Sequence, residues 1–196
     1  MIKEIYDRRS IRKYKDLPVP KELTEKIIRA GMLAPSSKNR QPWSFIAVSG
    51  KARNDMISAL RIGLEREKND PFLPESSFYI DGAEHTFKIM EQAPVTIFII
   101  NRMGADLNKP LTAEERIYEI CNAQSIGAAI ENMTLEATSL GLGSLWICDI
   151  FFAYNELKEW LGCDGEPFAA LTLGYADEKP PQRPRLNINE ILRWVE

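Results

Sequence analysis

The run Val95-Thr96-Ile97-Phe98-Ile99-Ile100 contains no charged residue and shows no polar face. Successive side chains of a strand point to opposite sides of its sheet, so a strand apolar at nearly every position is buried on both faces and sits centrally in a sheet. Three further segments supply partners. Trp43-Ser44-Phe45-Ile46-Ala47-Val48 reads as a strand by composition and near-alternation, Ser144-Leu145-Trp146-Ile147 as a short strand, and Ala169-Ala170-Leu171-Thr172-Leu173-Gly174-Tyr175 as a last one. Leu23, Ile27, Ile28 and Met32 recur at helical spacing over 20–34, with Pro20 near the start and Pro35 as a stop. Residues 51–68 and 154–161 also read as helices, and 69–82 as a loop holding Pro71, Pro74 and Gly82. Thr112-Ala113-Glu114-Glu115 is a capping box opening a long helix that runs to about Leu140, which Gly141 and Gly143 end. Its middle (Ala123, Gly127, Ala128, Ala129) is small and uncharged, which suits burial against another backbone or a dimer interface. Four strands interleaved with helices give a mixed α and β domain over residues 1–196.

Composition closes several function classes. A chain of 196 residues with 44 % hydrophobic residues can bury a sizeable core. Its net charge of −3 argues against a general nucleic-acid or membrane-surface binder. Lys3, Glu4, Asp7 and Arg8 leave no signal-peptide apolar core, and 95–100 is far short of the roughly 20 residues of a membrane helix, so a cytoplasmic protein is expected. Cys121, Cys148 and Cys163 form no close pair and no disulfide framework. His85 is the single histidine, which excludes a His-rich zinc site and leaves no metal site expected. Protein side chains alone supply little hard chemistry, so in an enzyme a cofactor carries it.

Charge is nevertheless concentrated. Arg8-Arg9-Ser10-Ile11-Arg12-Lys13-Tyr14 places four cations in six positions. Written as an extended segment, Arg8, Ser10 and Arg12 point one way and Arg9, Ile11 and Lys13 the other. Two guanidiniums and a hydroxyl on one face make a good monophosphate receiver. A solvated charge run is the plain alternative. Against it stands a second cluster, Lys179, Arg183 and Arg185, stiffened by prolines. No G-x-G-x-x-G or Walker motif follows any strand, so the phosphate site is built from side chains. Ser36, Ser37, Asn39 and Gln41, braced by Pro35 and Pro42, add donors and acceptors of the kind a ring rimmed by carbonyl and imide groups needs.

These blocks, Arg8 to Tyr14, Pro35 to Trp43, Gly141-Leu142-Gly143-Ser144-Leu145-Trp146-Ile147, and Gly174-Tyr175 with Arg183-Pro184-Arg185, resemble the FMN-dependent nitroreductase family over nearly the whole chain. The resemblance implies an α+β fold with a mostly antiparallel central sheet flanked by helices, and an intertwined homodimer with FMN at the interface. It implies Arg8 and Ser10 at the phosphate, Arg12 toward the ring N1 and C2 carbonyl, and Arg9 acting mainly through its backbone. Pro35, Ser36, Ser37, Asn39 and Gln41 would come from the partner subunit. Trp146, Ile147 and Cys148 would lie against the ring through backbone N–H groups, and Arg183 or Arg185, with Arg185 favoured, would complete the phosphate cradle. Many relatives carry glycine or threonine where this chain has Cys148.

The implied reaction is ping-pong: NADH or NADPH reduces the flavin at N5, then a small-molecule electron acceptor, nitroaromatic or quinone, is reduced. No side chain is expected to be catalytic itself. Residues 65–82 are the expected substrate lid. The alternatives are a deiodinase-like or other reductive flavoenzyme, whose lid residues Glu65, Glu67, Lys68 and Tyr79 would grip a zwitterionic amino acid, and a non-catalytic FMN-binding protein.

Overall fold

The computed structural model describes residues 1–73 and 75–196; Pro74, one of the residues of the expected 69–82 loop, lies outside them. In chain order the elements are α1 (Lys3–Asp7), α2 (Lys21–Met32), β1 (Trp43–Ser49), α3 (Ala52–Asn69), α4 (Ile80–Gln92), β2 (Val95–Asn101) and α5 (Ala113–Ser139). There follow β3 (Gly143–Ile147), α6 (Tyr154–Leu161), β4 (Glu166–Gly174) and α7 (Ile188–Ile191), with single 3-10 segments at Ser37–Asn39, Ser76–Phe78 and Asp149–Ala153.

The four strands form one antiparallel sheet in the order β1-β2-β4-β3. β2 lies inside it, every residue buried, as its composition requires. Its side chains divide by parity. Val95, Ile97 and Ile99 face a core shared with α2 and α5, whereas Phe98 and Ile100 face α3, α4 and α6. Ile97, Phe98, Ile99 and Ile100 have 0 % exposure, and each such burial contributes about 1.5–3 kcal/mol. The result is an α+β sandwich, helices on both faces of an antiparallel sheet.

Three details differ from the sequence pattern. The irregular stretch expected over 69–82 narrows to 70–79, because Asn69 completes α3 and Ile80 opens α4. Ala83, Phe87 and Met90, at helical spacing and buried, draw residues 80–82 into that helix, and Gly82 is tolerated there because nothing approaches its open side. The end of α5 needs only one of its two glycines. Gly141 takes φ +75°, while its N–H reaches Thr138 O at 3.1 Å and the Leu142 N–H reaches Ala137 O at 2.8 Å, a Schellman closure. Gly143 instead belongs to β3, where a Cβ would meet the Ile11 side chain at 2.8–2.9 Å. The short helices α1 and α7 carry no apolar period and were not anticipated.

α3 crosses the 149–153 turn at its closest point through Gly63, whose Cβ would fall 2.3 Å from Ala153 Cβ and 2.4 Å from its Cα. The obstacle is backbone and cannot swing aside. Gly63→Ala should therefore cost about 2–3 kcal/mol of stability, read as a lowered denaturant midpoint with an unchanged slope. An unshifted midpoint would show that α3 and the turn separate easily.

Candidate cofactor site

The basic N-terminal segment is strapped along the free edge of the sheet. Ser10 forms an isolated bridge with Ser144 of β3, and Tyr14 another with Ala176 just beyond β4. The Ile11 N–H donates to Ser144 O, the Lys15 N–H to Tyr175 O and the Asp177 N–H to Lys13 O, each at 2.9 Å. Ile11 and Tyr14 are the buried anchors. The Tyr14 hydroxyl donates to Ile11 O at 2.9 Å and lies 2.7 Å from Thr172 Oγ1. Burial pushes this phenol far above its usual range, so it acts as a neutral donor. The Glu178 carboxylate accepts from the Arg12 N–H and, at 3.2 Å, from the Lys13 N–H.

With the backbone held, the cations gather. Arg8, Arg9, Ser10, Arg12, Arg183 and Arg185 line one cavity of about 600 Å³, within the size range of small-molecule sites. The two-face division expected of the segment holds only in part. Ile11 turns inward, but Arg9 joins the cavity because its guanidinium folds back to donate to Tyr6 O at 2.7 Å and Arg8 O at 2.8 Å, at the end of α1. Among the described residues, Arg8 is the one arginine of the five whose guanidinium has a carboxylate within 4 Å, Glu131 of α5 at 3.7 Å. Arg12 donates to Ser10 O, and Arg185 to Arg183 O and Pro184 O, so their charges remain uncompensated. Four guanidiniums without carboxylate partners around one cavity make an anion site.

β3 runs on from this strap. Backbone N–H and C=O groups of a strand alternate between its two edges. Since Ser144 O is taken by Ile11 on the outer edge, the Trp146 N–H faces outward too, and Ile147 faces β4. The Ile147 side chain is buried, so only backbone remains to it. Trp146 is 38 % exposed, and its indole covers the small surface of Gly127 on α5. Cys148 is exposed at the strand end; partial desolvation of its sulfur, then the charge of Asp149, push the thiol up, so it stays protonated at neutral pH.

The 35–41 loop is elsewhere. None of Pro35, Ser36, Ser37, Asn39 and Gln41 lines the basic cavity. The loop docks on α5: Ser37 N–H donates to Ser125 Oγ at 3.3 Å, Arg40 Nη2 to Asn122 Oδ1 at 3.4 Å, and the Arg40 guanidinium lies 5.0 Å from the Tyr118 ring centre. Lys38, Asn39 and Gln41 adopt φ of 53°, 53° and 49°. Left-handed non-glycine residues cost of order 1 kcal/mol each and gather at functional sites. Ser36 supports the strained turn, its Oγ accepting from the Gln41 N–H at 3.0 Å.

The sequence pattern did not single out Glu131, Glu178, Arg40 or Tyr118. Their partners lie on other elements, and only the fold brings them together. The 70–79 segment also differs from the expected aromatic cover. Phe72 stacks on Tyr154 with centroids 5.8 Å apart, while Phe78 and Tyr79 are 83 % and 64 % exposed. Glu67 cannot grip an amino acid substrate, since its carboxylate is fully buried and bound to the chain's own backbone. Among the described residues, no three His, Cys, Asp or Glu side chains gather to hold a metal, and no helix is long and apolar enough to cross a membrane.

Comparison with known proteins bears on the same elements. The family model described as the nitroreductase family matches residues 5–175, from the strap through the end of the sheet. An FMN reductase (NAD(P)H) of Bacillus subtilis is 32 % identical over 200 residues, covering 95 % of this chain and 70 % of that protein. A BluB-like flavoprotein from Clostridium difficile 630 superposes with TM-score 0.75 at 27 % identity, over 98 % of this chain and 97 % of the other. An FMN and NADPH-dependent nitroreductase from Sphigopyxis sp. strain HMH shares the fold, with TM-score 0.78 at 19 % identity over 98 % and 97 % of the two chains. The matched residues take in the strap, the antiparallel sheet and the long helix, and the chain belongs to the nitroreductase family.

Proposed function

We propose that the protein is an FMN-dependent oxidoreductase that uses NADH or NADPH to reduce nitroaromatic, quinone or related small-molecule acceptors, working in the cytoplasm as a homodimer of single-domain chains. The observation that carries this reading is the cavity where the strap cations meet Arg183 and Arg185 beside the open edge of β3. Its donor set fits a phosphate monoester: planar guanidiniums without carboxylate partners and a serine hydroxyl. The family and the Bacillus subtilis relative named for FMN and NAD(P)H support the same choice.

When bound, the flavin supplies hydride and electron transfer at its N5. The protein does the rest. Arg8, Ser10 and one or both of Arg183 and Arg185 hold the phosphate, with Arg9 shaping the turn. Arg12 places a positive charge where a reduced, anionic ring needs it. The outward Trp146 N–H and the Cys148 backbone beyond the strand end offer donors to the ring edge, Ile147 having its backbone turned to β4, and the protonated Cys148 thiol adds no charge there. Glu178, by holding the Arg12 and Lys13 N–H groups, fixes how the cations project.

In this reading the 35–41 loop, with Pro35, Ser36, Ser37, Asn39 and Gln41, serves the site of a second copy. Exposed apolar side chains support association. Ile117, Tyr118 and Ile120 of α5 are 60 %, 50 % and 52 % exposed next to that loop, and Leu186, Ile188, Ile191 and Trp194 of the tail are 62–77 % exposed. Exposed apolar side chains clustered within one turn of α5 and again within the tail suit a covered face. Three free cysteines fit a reducing compartment.

The deciding experiment is an absorbance spectrum of the purified protein followed by anaerobic NADH and NADPH titration. A yellow protein that releases FMN on heating and bleaches with reductant is expected. FAD, no flavin, or a flavin that neither nucleotide reduces would overturn the reading. Arg8→Ala and Arg12→Ala should each weaken FMN by about 1.5–3 kcal/mol in fluorescence titration, and unchanged affinity in both would make the strap a solvated face. Sedimentation should give a dimer with an interface above roughly 2,000 Å² of buried surface, and a stable, flavin-loaded monomer would contradict the shared site.

A further inference from the structure

Glu67 is a charged side chain with no exposed surface, in the last turn of α3. Among the described residues, its partners are its neighbour Arg66 and the start of the loop that follows α3. Its two oxygens accept from the backbone N–H groups of Phe72 and Leu73, each at 2.9 Å. The Arg66 guanidinium completes the set, and Ser76 is buried in the same segment. Arg66 in turn forks Glu156 of α6, at 2.9 and 3.0 Å. Burial alone would raise the Glu67 carboxyl; the Leu73 and Phe72 N–H groups, Ser76 and Arg66 outweigh it and hold it below its usual range. A buried carboxylate is tolerable only with such partners, so the ion and the loop conformation require each other.

The consequence reaches a second cavity. About 440 Å³ in volume, it is lined by Leu73, Glu75, Ser76 and Tyr79 from the loop and by Phe152 from the 149–153 turn. That turn begins directly after Cys148, at the end of the open β3 edge. The close crossing at Gly63 fixes the turn against α3, so one wall is set by Gly63 and the other hangs from Glu67. Phe72 adds a hold through its stack on Tyr154, whereas Phe78 and Tyr79 project freely.

We infer that Glu67 is a positioning residue for electron acceptors: without touching them, it fixes the loop wall that sets which acceptors fit beside the flavin. This rests on the oxidoreductase reading above. The loop is then a fixed rim on an ionic hinge point, and discrimination among acceptors comes from its placement rather than from a polar clamp.

The test compares wild-type holoenzyme with Glu67→Gln, which keeps the side-chain shape but replaces one acceptor oxygen with a donor. Amide exchange at Phe72 and Leu73 should quicken by about tenfold or more, the opening expected when a charge-assisted bond is lost. FMN content and the rate of flavin reduction by NADH should stay within about twofold, while KM for 1,4-benzoquinone and for nitrobenzene rises about tenfold, unequally for the two, with kcat little changed. Unchanged exchange, or a KM shift that is matched by loss of flavin, overturns the inference. If Glu67→Gln does not fold, Arg66→Met keeps both backbone bonds and removes the counter-charge. The same pattern at smaller amplitude supports the inference, and wild-type exchange and KM values in that variant sink it. Exchange is read whether or not the protein turns over. A colourless or inactive wild type with protected Phe72 and Leu73 amides counts against the flavin reading alone, and unprotected amides count against Glu67.

Discussion

The buried pairing of β2 with β4 is the constraint on which the other features rest. Both strands are covered on both faces, and their register from Val95↔Leu173 to Asn101↔Glu166 fixes where β1 and β3 can lie. β3 becomes an edge because its one partner is β4. An edge strand must be protected or used. Here its first residues receive the basic strap through Ser144, and the rest of the edge, with the Trp146 N–H facing outward, is left open. The position of the cations therefore follows from the pairing of two strands that carry no site residue.

The strap translates that pairing into chemistry. Ile11 lies over Gly143, where any side chain would collide with it, and Tyr14 reaches Thr172 of β4. These two contacts are apolar or neutral, yet they decide where Arg8, Arg9 and Arg12 stand. The segment is short and charged, and an isolated chain would not hold it extended. Its order is borrowed from the core of the sheet.

Much of this was legible in the residues. The apolar run at 95–100 marks the central strand, the capping box marks α5, and the two distant arginine clusters line one cavity. The rest was hidden for physical reasons. Arg9 was assigned to the wrong side because a β alternation was assumed where α1 ends and the chain turns. Gly143 was read as a helix terminator because a close approach to Ile11, 132 positions earlier, leaves no local trace. Residues 80–82 looked like loop because Gly82 is a weak helix former, and tertiary burial of Ala83 and Phe87 overrode it. Glu67 reads from the sequence as a lid residue open to an amino acid substrate, since only the fold supplies the N–H groups that bury it.

The chain is net negative while its cavity is positive, and the two act over different lengths. At physiological ionic strength fields from exposed charges fade within about 8 Å, so the overall repulsion of an anionic ligand is largely screened at a distance. Inside the cavity the arginines act across a few ångströms, with protein rather than electrolyte between them and the ligand. Salt raised from low ionic strength toward the physiological level should first speed the approach of a phosphate monoester, by removing the outer repulsion, and only at higher concentration loosen its hold. A uniformly basic surface would lose both together, and would also attract every polyanion in the cell. Positive charge concentrated in one small cavity of a net-negative chain suits a compact anion better than an extended polyanion.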